Sequence, residues 1–446
     1  MESIRIQAEA IVVTPQIIYR PGQIVVRHGR IIECTDHSFE KADLELHGKV
    51  LSPGLVNAHT HLEFSDLKMP FAPGETFPQW IRSVVEHRRQ ASQAVDDAEF
   101  QRRRAASIQL GLRETWQAGV AVAADIVTRP WRPGYLATHD TSIQPDAVRA
   151  NTHLTNLDIA DHLLGEPHVM ALAEIIGLDE ARFNESSHWA VQLVDEVASL
   201  QPTVPDTSTD GKLRLRAGLS PHSPYSLNFL KLQSDLSSSS AIGQLTAMHV
   251  AESLEEREWL EHGSGPFRAA FEQLGVPLST PRPSIMESIE WLATRKRSLL
   301  IHGNYLTELE AARVAEASAM SIVYCPRTHL HFGHSSYPLK KFLESGINVV
   351  LGTDSRASNP DLDLWSEVNA VRVRHAWASP QWLLGAVTTA AARALGLEGE
   401  YGSLLPGRRA AINVSSYSHA VKTSDILDVL TTQSSPFQPL AQGGWE

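Results

Sequence analysis

The chain of 446 residues reads as an α/β protein, a (β/α)8 barrel of the TIM type with a small β-sandwich domain composed of both chain termini. Three observations predict this. Eight short apolar runs of strand length recur from residue 54 to residue 352, with helix-length stretches between them. The first 52 residues differ in kind, with closely spaced β-like runs broken by turn signals. The tail then becomes β-like again. Neither terminal piece has strands enough for a unit of its own, so the two are expected to join. The expected boundaries are 1–52 and 400–446 for the composite β domain and 53–399 for the barrel.

In chain order, the N-terminal β-like runs are Ile4 to Ile6, Ala10 to Val13, Gln23 to Arg27 and Arg30 to Glu33. Pro21-Gly22 and His28-Gly29-Arg30 punctuate them. The barrel strands are expected at 54–59, 119–125, 169–176, 213–219, 244–249, 298–302, 320–325 and 347–352. Gln101 to Gln117 and Leu254 to Leu274 have helical composition and length, and Trp382 to Leu397 reads as an alanine-rich helix. Gln201 to Lys212 and Ser234 to Ser240 read as solvated loops, too short to be interdomain linkers. The basic run Arg102-Arg103-Arg104 reads as a solvated helix face. No internal repeat is evident.

Bulk composition bounds the function. Hydrophobic content of 42% and charged content of 20% suit a soluble globular protein. A net charge of -12 argues against nucleic acid or an anionic membrane as the main partner. The start, MESIRIQAEAIVV, lacks the basic and apolar regions of a signal peptide, and no apolar run approaches the ~18 residues of a membrane span. Only Cys34 and Cys325 occur, which fits a reducing compartment and two buried packing residues without a disulfide. A cytoplasmic protein acting on a small molecule is the expectation.

Barrel enzymes hold their chemistry at the carboxyl ends of the strands. Strand one ends in His59-Thr60-His61, whose histidines share one side of an extended chain. With 20 histidines, composition alone supplies roughly one such pair, and His329-x-His331 is another. The pair therefore needs company. Strand four runs into His222, strand five ends in His249 followed by Glu252, strand six ends in His302, and strand eight runs into Asp354. Histidine at four of eight ends, with Asp at a fifth, is not what scattered placement gives.

His59, His61, His249 and Asp354 supply the three or four N/O donors of a mononuclear site for one divalent ion per chain. Such an ion lowers the pKa of a bound water from about 15.7 to near 7. Glu252, three residues past His249, is free to shuttle protons, and His302 to orient the attacking water or stabilise charge on the substrate. Lys212 only precedes strand four, so no bridging carbamate for a second ion is evident. Zinc and iron suit the donors equally.

These residues resemble the amidohydrolase superfamily, in its branch of mononuclear deaminases. PGLVNAHTH, the His249-x-x-Glu252 pair, IHGNYL around His302 and LGTDSRASNP around Asp354 carry the resemblance across nearly the whole chain. GSLLPGRRAAINV is similar to the family's returning strand, with Ala411 where its aspartate would stand. HTHLEFSDL followed by FPQWIRSVVEHRR is most similar to the aminodeoxyfutalosine deaminases of menaquinone biosynthesis. The resemblance implies hydrolytic loss of the 6-amino group from an adenine-type nucleoside bearing a benzoate arm. SPHSPYS implies that His222 reaches the purine. Glu63 and Glu174 are candidates for the substrate amine or ribose hydroxyls, and Arg327 for a substrate carboxylate.

CPRTHLHFGHSSYP departs from the Pro-x-Ser-Asn of relatives acting on S-adenosylhomocysteine, methylthioadenosine or guanine. Deamination of those compounds or of another heterocycle, and triazine dechlorination, stay open as alternatives. A non-catalytic scaffold would have lost donors, and none is missing. The sequence is silent on oligomeric state, and the resemblance leaves room for a homodimer.

Overall fold

The computed structural model describes residues 3–37, 40–93, 95–136, 163, 166–200, 214–236, 244–276, 278, 280–416, 426–433 and 436–443. The expected loop at 201–212, Lys212 with it, and residues 237–240 of the second expected loop lie outside them. Ser234 and Asp235 instead close the short helix Phe229–Asp235.

The terminal β unit is a seven-stranded sheet. Its N-terminal strands are β1 (Ile4–Thr14), β2 (Ile17–Tyr19), β3 (Gly22–Arg27), β4 (Arg30–Thr35) and β5 (Leu44–Pro53). The two first expected runs are one strand, because Gln7-Ala8-Glu9 continues the in–out alternation that buries Ile4, Ile6 and Ala8. β1 pairs in parallel with β5 and antiparallel with β2 and β3. The far end of the chain returns as β14 (Ile412–Ser416), antiparallel to β5, with β15 (Gln438–Pro439) beyond it. Ile4, Ile6, Ile24, Leu44, Leu404, Ile412 and Val414 share one buried core, so both termini build the same unit.

One residue, Gly54, joins this sheet to the barrel. A Cβ there would stand 2.5 Å from that of Ala121, while the Gly54 amide donates to Ala411 at 2.8 Å. The barrel strands follow in chain order: β6 (Leu55–Thr60), β7 (Val120–Val127), β8 (His168–Ile175), β9 (Leu215–Pro221), β10 (Leu245–Val250), β11 (Arg297–His302), β12 (Met320–Tyr324) and β13 (Asn348–Leu351). Each pairs in parallel with the next. β13 comes back to β6 through the bridge of Thr60 with Asp354. Gly352 is required there, because a Cβ would stand 2.9 Å from both Cβ and O of His59.

Strands buried on both faces read as unbroken apolar runs. Alternate residues such as Val122, Ala124, Met170, Leu172, Ala247, Leu299 and Val350 form one core. Their neighbours, among them Val120, Ala171, Met248, Leu300 and Val349, pack against helix residues such as Phe183, Leu193 and Trp259. Helix α1 (Phe77–Gln93) and helix α2 (Asp97–Gln117) lie between β6 and β7. The stretch expected as one helix from Leu254 is two, Leu254–His262 and Gly265–Gln273, because Gly263 turns left-handed at φ 63. The alanine-rich stretch likewise splits into Pro380–Gly385 and Thr389–Leu395.

Candidate metal centre and active site

β6 delivers His59 and His61 to the carboxyl end of the barrel, where the chain enters a tight turn, Leu62–Phe64. Buried Asp125, at the end of β7, holds that turn by accepting from the Leu62 amide at 2.8 Å. His249 follows Leu245 and Ala247 at the period of two that faces the inner core. Its Nδ1 lies 2.9 Å from the carbonyl oxygen of His222, which leaves Nε2 as its donor atom.

Asp354 stands just past β13 with a left-handed backbone, φ 56, as do Ala251 (φ 54) and His302 (φ 69) past β10 and at the end of β11. Non-glycine residues seldom hold this conformation unless their surroundings fix it. Here Tyr337 donates to the His302 carbonyl at 2.9 Å. Asn57 bonds both the amide and the hydroxyl of Thr353, at 3.2 and 2.8 Å. The Ser358 hydroxyl donates to Asp354 Oδ2 at 2.8 Å and lies 2.9 Å from that of Thr328. Asp354 is thereby aimed before any ligand arrives.

Nε2 of His59 and of His61 stand 3.5 and 3.6 Å from Asp354 Oδ1. Two overlapping triads, His59–His61–Asp354 and His59–His249–His302, could each hold a metal ion, with donor atoms all within 4.8 Å of one another. Two ligands of one tetrahedral zinc stand roughly 3.4 Å apart. Both ring nitrogens of His59 and Nδ1 of His61 are buried with no hydrogen-bond partner. Buried polar atoms are seldom left so, and a cation among them fits the orphaned donors. Burial and the neighbouring imidazoles hold His61 and His249 well below the ordinary histidine pKa, in the neutral form that binds metal. Burial works against the charge of Asp354, yet the close approach of His59, with the charges of His59, His61 and His302, keeps its pKa below the usual range.

Glu252 is buried with Oε1 3.4 Å from His302 Nε2. Burial, then the charges of Asp354 and Glu256, push its pKa well above the usual carboxyl range. Its backbone is pinned by Glu256, which accepts from the Glu252 amide at 2.7 Å, and by Asn304, which donates to its carbonyl at 2.9 Å. His222 packs on His249 with ring centroids 5.2 Å apart, and its Nδ1 lies 2.7 Å from the Ser226 hydroxyl. Burial, then the charges of Arg88 and Arg182, lower its pKa to about 3. Glu174, at the end of β8, is buried, and its carboxylate makes no hydrogen bond among the described residues.

Three expectations change. Glu63 is not open to a substrate hydroxyl: its carboxylate accepts from Arg88 at 2.5 Å, pairs with Arg104 at 2.8 Å and bonds the Thr128 hydroxyl. Burial would raise its pKa, but the two guanidinium charges hold it below the usual value. Arg104 accordingly leaves the solvated face that Arg102 and Arg103 keep with Glu99. Arg327 is not a free cation either. It forms a two-pronged pair with Asp361 at 2.6 and 2.9 Å, with Glu367 at 3.8 Å. His329, of the second His-x-His pair, stays outside both metal-capable triads as expected; its ring nitrogens lie 3.1 Å from Asn304 Oδ1 and 2.7 Å from the Ser335 carbonyl. Arg88 is the residue that sequence reading passed over, although it stands in FPQWIRSVVEHRR.

A parallel barrel whose carboxyl end gathers imidazoles, a carboxylate and a separate buried acid defines a class, the metal-capable hydrolytic barrels. Within that class the chain belongs to the amidohydrolase family, whose model matches residues 50–441. It is a hydrolase acting on carbon–nitrogen bonds. The aminodeoxyfutalosine deaminase of a Nitratiruptor species is 26% identical over 355 residues, 78% of this chain and 75% of that one. The crystal structure of Helicobacter pylori aminofutalosine deaminase with methylthio-coformycin superposes with a TM-score of 0.69 at 18% identity, over 97% of each chain. An adenosine deaminase from Xanthomonas campestris with bound zinc gives 0.64 at 22% identity, over 98% of this chain and 90% of that one. At these identities the two structures bear on the fold.

Proposed function

We propose that the protein is a metal-dependent hydrolytic deaminase of an adenine-type nucleoside, with 6-amino-6-deoxyfutalosine as its substrate. The observation that carries the reading is Glu252, a buried acid outside the His59–His61–Asp354 donor set yet 3.4 Å from His302. Relatives named for aminodeoxyfutalosine deamination support the choice of substrate.

His59, His61, His249 and Asp354 would hold one divalent ion, zinc or iron. Bound there, the ion would supply a water whose pKa is lowered to about 7. Glu252 takes a proton from the attacking water as the new carbon–oxygen bond forms at the amino-bearing ring carbon. It passes that proton to the ring nitrogen, a general acid–base role suited to a carboxyl whose pKa burial raises above the usual range. His302 stands beside Glu252 to support charge on the added oxygen. His222 meets the far edge of the ring, and Glu174 accepts from the ribose hydroxyls. The added hydroxyl then gives its remaining proton, by way of Glu252, to the amino nitrogen; the carbon–nitrogen bond breaks as the carbon–oxygen double bond forms, and ammonia leaves.

Ammonia release across purines, adenine nucleosides, pterins and triazines tests this. The aminodeoxyfutalosine nucleoside should be turned over with the highest kcat/KM. Faster turnover of guanine or S-adenosylhomocysteine would overturn the substrate, and chloride release from a triazine as the main activity would overturn the reaction.

A further inference from the structure

Arg327 and Arg104 are both committed to carboxylates. Arg88 is differently placed. It stands late on α1 and donates through Nη2 alone, to Glu63 at 2.5 Å. Its Nε is buried without a partner, and its Nη1 makes no hydrogen bond among the described residues. The side chain remains 31% exposed. Its guanidinium lies 5.2 Å from the centre of the Phe64 ring, and that ring lies 6.3 Å from His61. The cation is thus one aromatic ring away from the donor cluster, and its charge is felt at both His222 and Glu174.

The local charge is unbalanced. Two guanidinium groups, Arg88 and Arg104, share the one carboxylate of Glu63. Glu174 is the next acid, but it bonds to neither, and burial favours its neutral form. Arg104 is fixed in turn by the carbonyl and hydroxyl of Thr128, and the same hydroxyl bonds Glu63. Arg88 is therefore held in place from behind, with donors left over. A planar guanidinium of that kind pairs best with a carboxylate, which can accept two parallel hydrogen bonds. Holding the side chain in advance reduces the entropy lost on binding.

We propose that Arg88 binds a carboxylate on the distal arm of the substrate and so selects anionic nucleosides over neutral ones. This rests on the deaminase reading above. Arg88 would then do what the sequence suggested for Arg327.

The test uses the metal-loaded protein and two substrates that differ only in charge, the carboxylated nucleoside and its methyl ester. Wild type should prefer the acid, and Arg88→Met should lower the ratio of the two kcat/KM values about 10- to 100-fold, chiefly through KM for the acid. Arg88→Lys, which keeps charge but loses the planar fork, should recover part of the preference. Equal losses on acid and ester would assign Arg88 to holding Glu63 and overturn the proposal, as would a wild type with no preference. Thermal melting and metal content of each variant separate these outcomes from misfolding. Calorimetric titration with benzoate keeps the two readings apart. If wild type released no ammonia from either nucleoside, the deaminase reading would fall. Benzoate binding lost in Arg88→Met would still uphold the anion site, and equal binding by both proteins would overturn it.

Discussion

Glu252 and His249 stand on one loop and strand end, yet their surroundings give them different work. His249 has one ring nitrogen turned to the His222 carbonyl and the other free for a donor role. Glu252 faces His302, and burial raises its affinity for a proton. Glu252→Gln preserves size and hydrogen-bonding capacity but cannot carry a proton. It should keep the fold and bound metal while turnover falls at least ~10²-fold, the usual scale for general acid–base catalysis. Near-normal turnover, read beside metal content, would make Glu252 structural. At this scale the sequence was legible where a residue's place followed from its strand. His59, His61, His249 and Asp354 could be found by reading strand ends; the fold groups His59 with His61 and Asp354 in one metal-capable triad and His59 with His249 and His302 in the other. Arg88, Arg104 and Arg327 could not be assigned that way. Their partners lie 25, 41 and 34 residues away in sequence, and only the folded chain brings them together.

Among elements, the eight barrel strands were the most legible, because burial on both faces leaves a short apolar run that no surface helix shares. β5 was missed, since His47-Gly48 interrupts its apolar pattern, and Gly48 takes φ 63 inside the strand. The helix after β10 was read too long for the converse reason: composition stays helical through Gly263 while the backbone does not. β8 carries a consequence of its own. Its first residue, His168, is buried against Tyr401, with ring centroids 5.5 Å apart. Burial, then the charges of Arg216, Arg409 and Arg214, lower its pKa to about 3. An unfolded chain regains a histidine near 6.5, so between these values the unfolded state binds the extra proton. The contribution of His168 is whole above pH 6.5 and is lost as pH falls towards 3. Urea unfolding from pH 7 to pH 4 should therefore show a shallower loss of stability for His168→Gln than for wild type, by a few kcal/mol. Parallel curves would show that His168 does not titrate on unfolding.

For the whole molecule, the decisive feature is where the donors come from. His59 and His61 lie at the end of the first barrel strand, Asp354 just past the last, and His249 on the fifth. The seam between β6 and β13 is short: one bridge of Thr60 with Asp354, the Asp354 amide donating to His59 at 3.1 Å, the Thr60 hydroxyl donating to the Asp354 carbonyl at 2.9 Å, and the two bonds between Asn57 and Thr353. It is also where Asp354 and the orphaned nitrogens of His59 and His61 gather. A cation held by His59, His61, His249 and Asp354 would therefore fasten the two ends of the barrel to each other and to its opposite wall. A ligand that binds only the folded state, present at about 1,000 times its Kd, stabilises by about 4 kcal/mol. Stripping the protein with a chelator should lower its Tm by several degrees, and hydrogen exchange should quicken first in β6 and β13, with the terminal sheet little changed. Restoring zinc should recover about one ion per chain and the lost protection. His249→Ala should bind less metal and show a smaller response in both measurements. A stripped protein with unchanged Tm and an unaltered seam would mean that barrel closure owes nothing to the metal, and two tightly held ions per chain would overturn the mononuclear site.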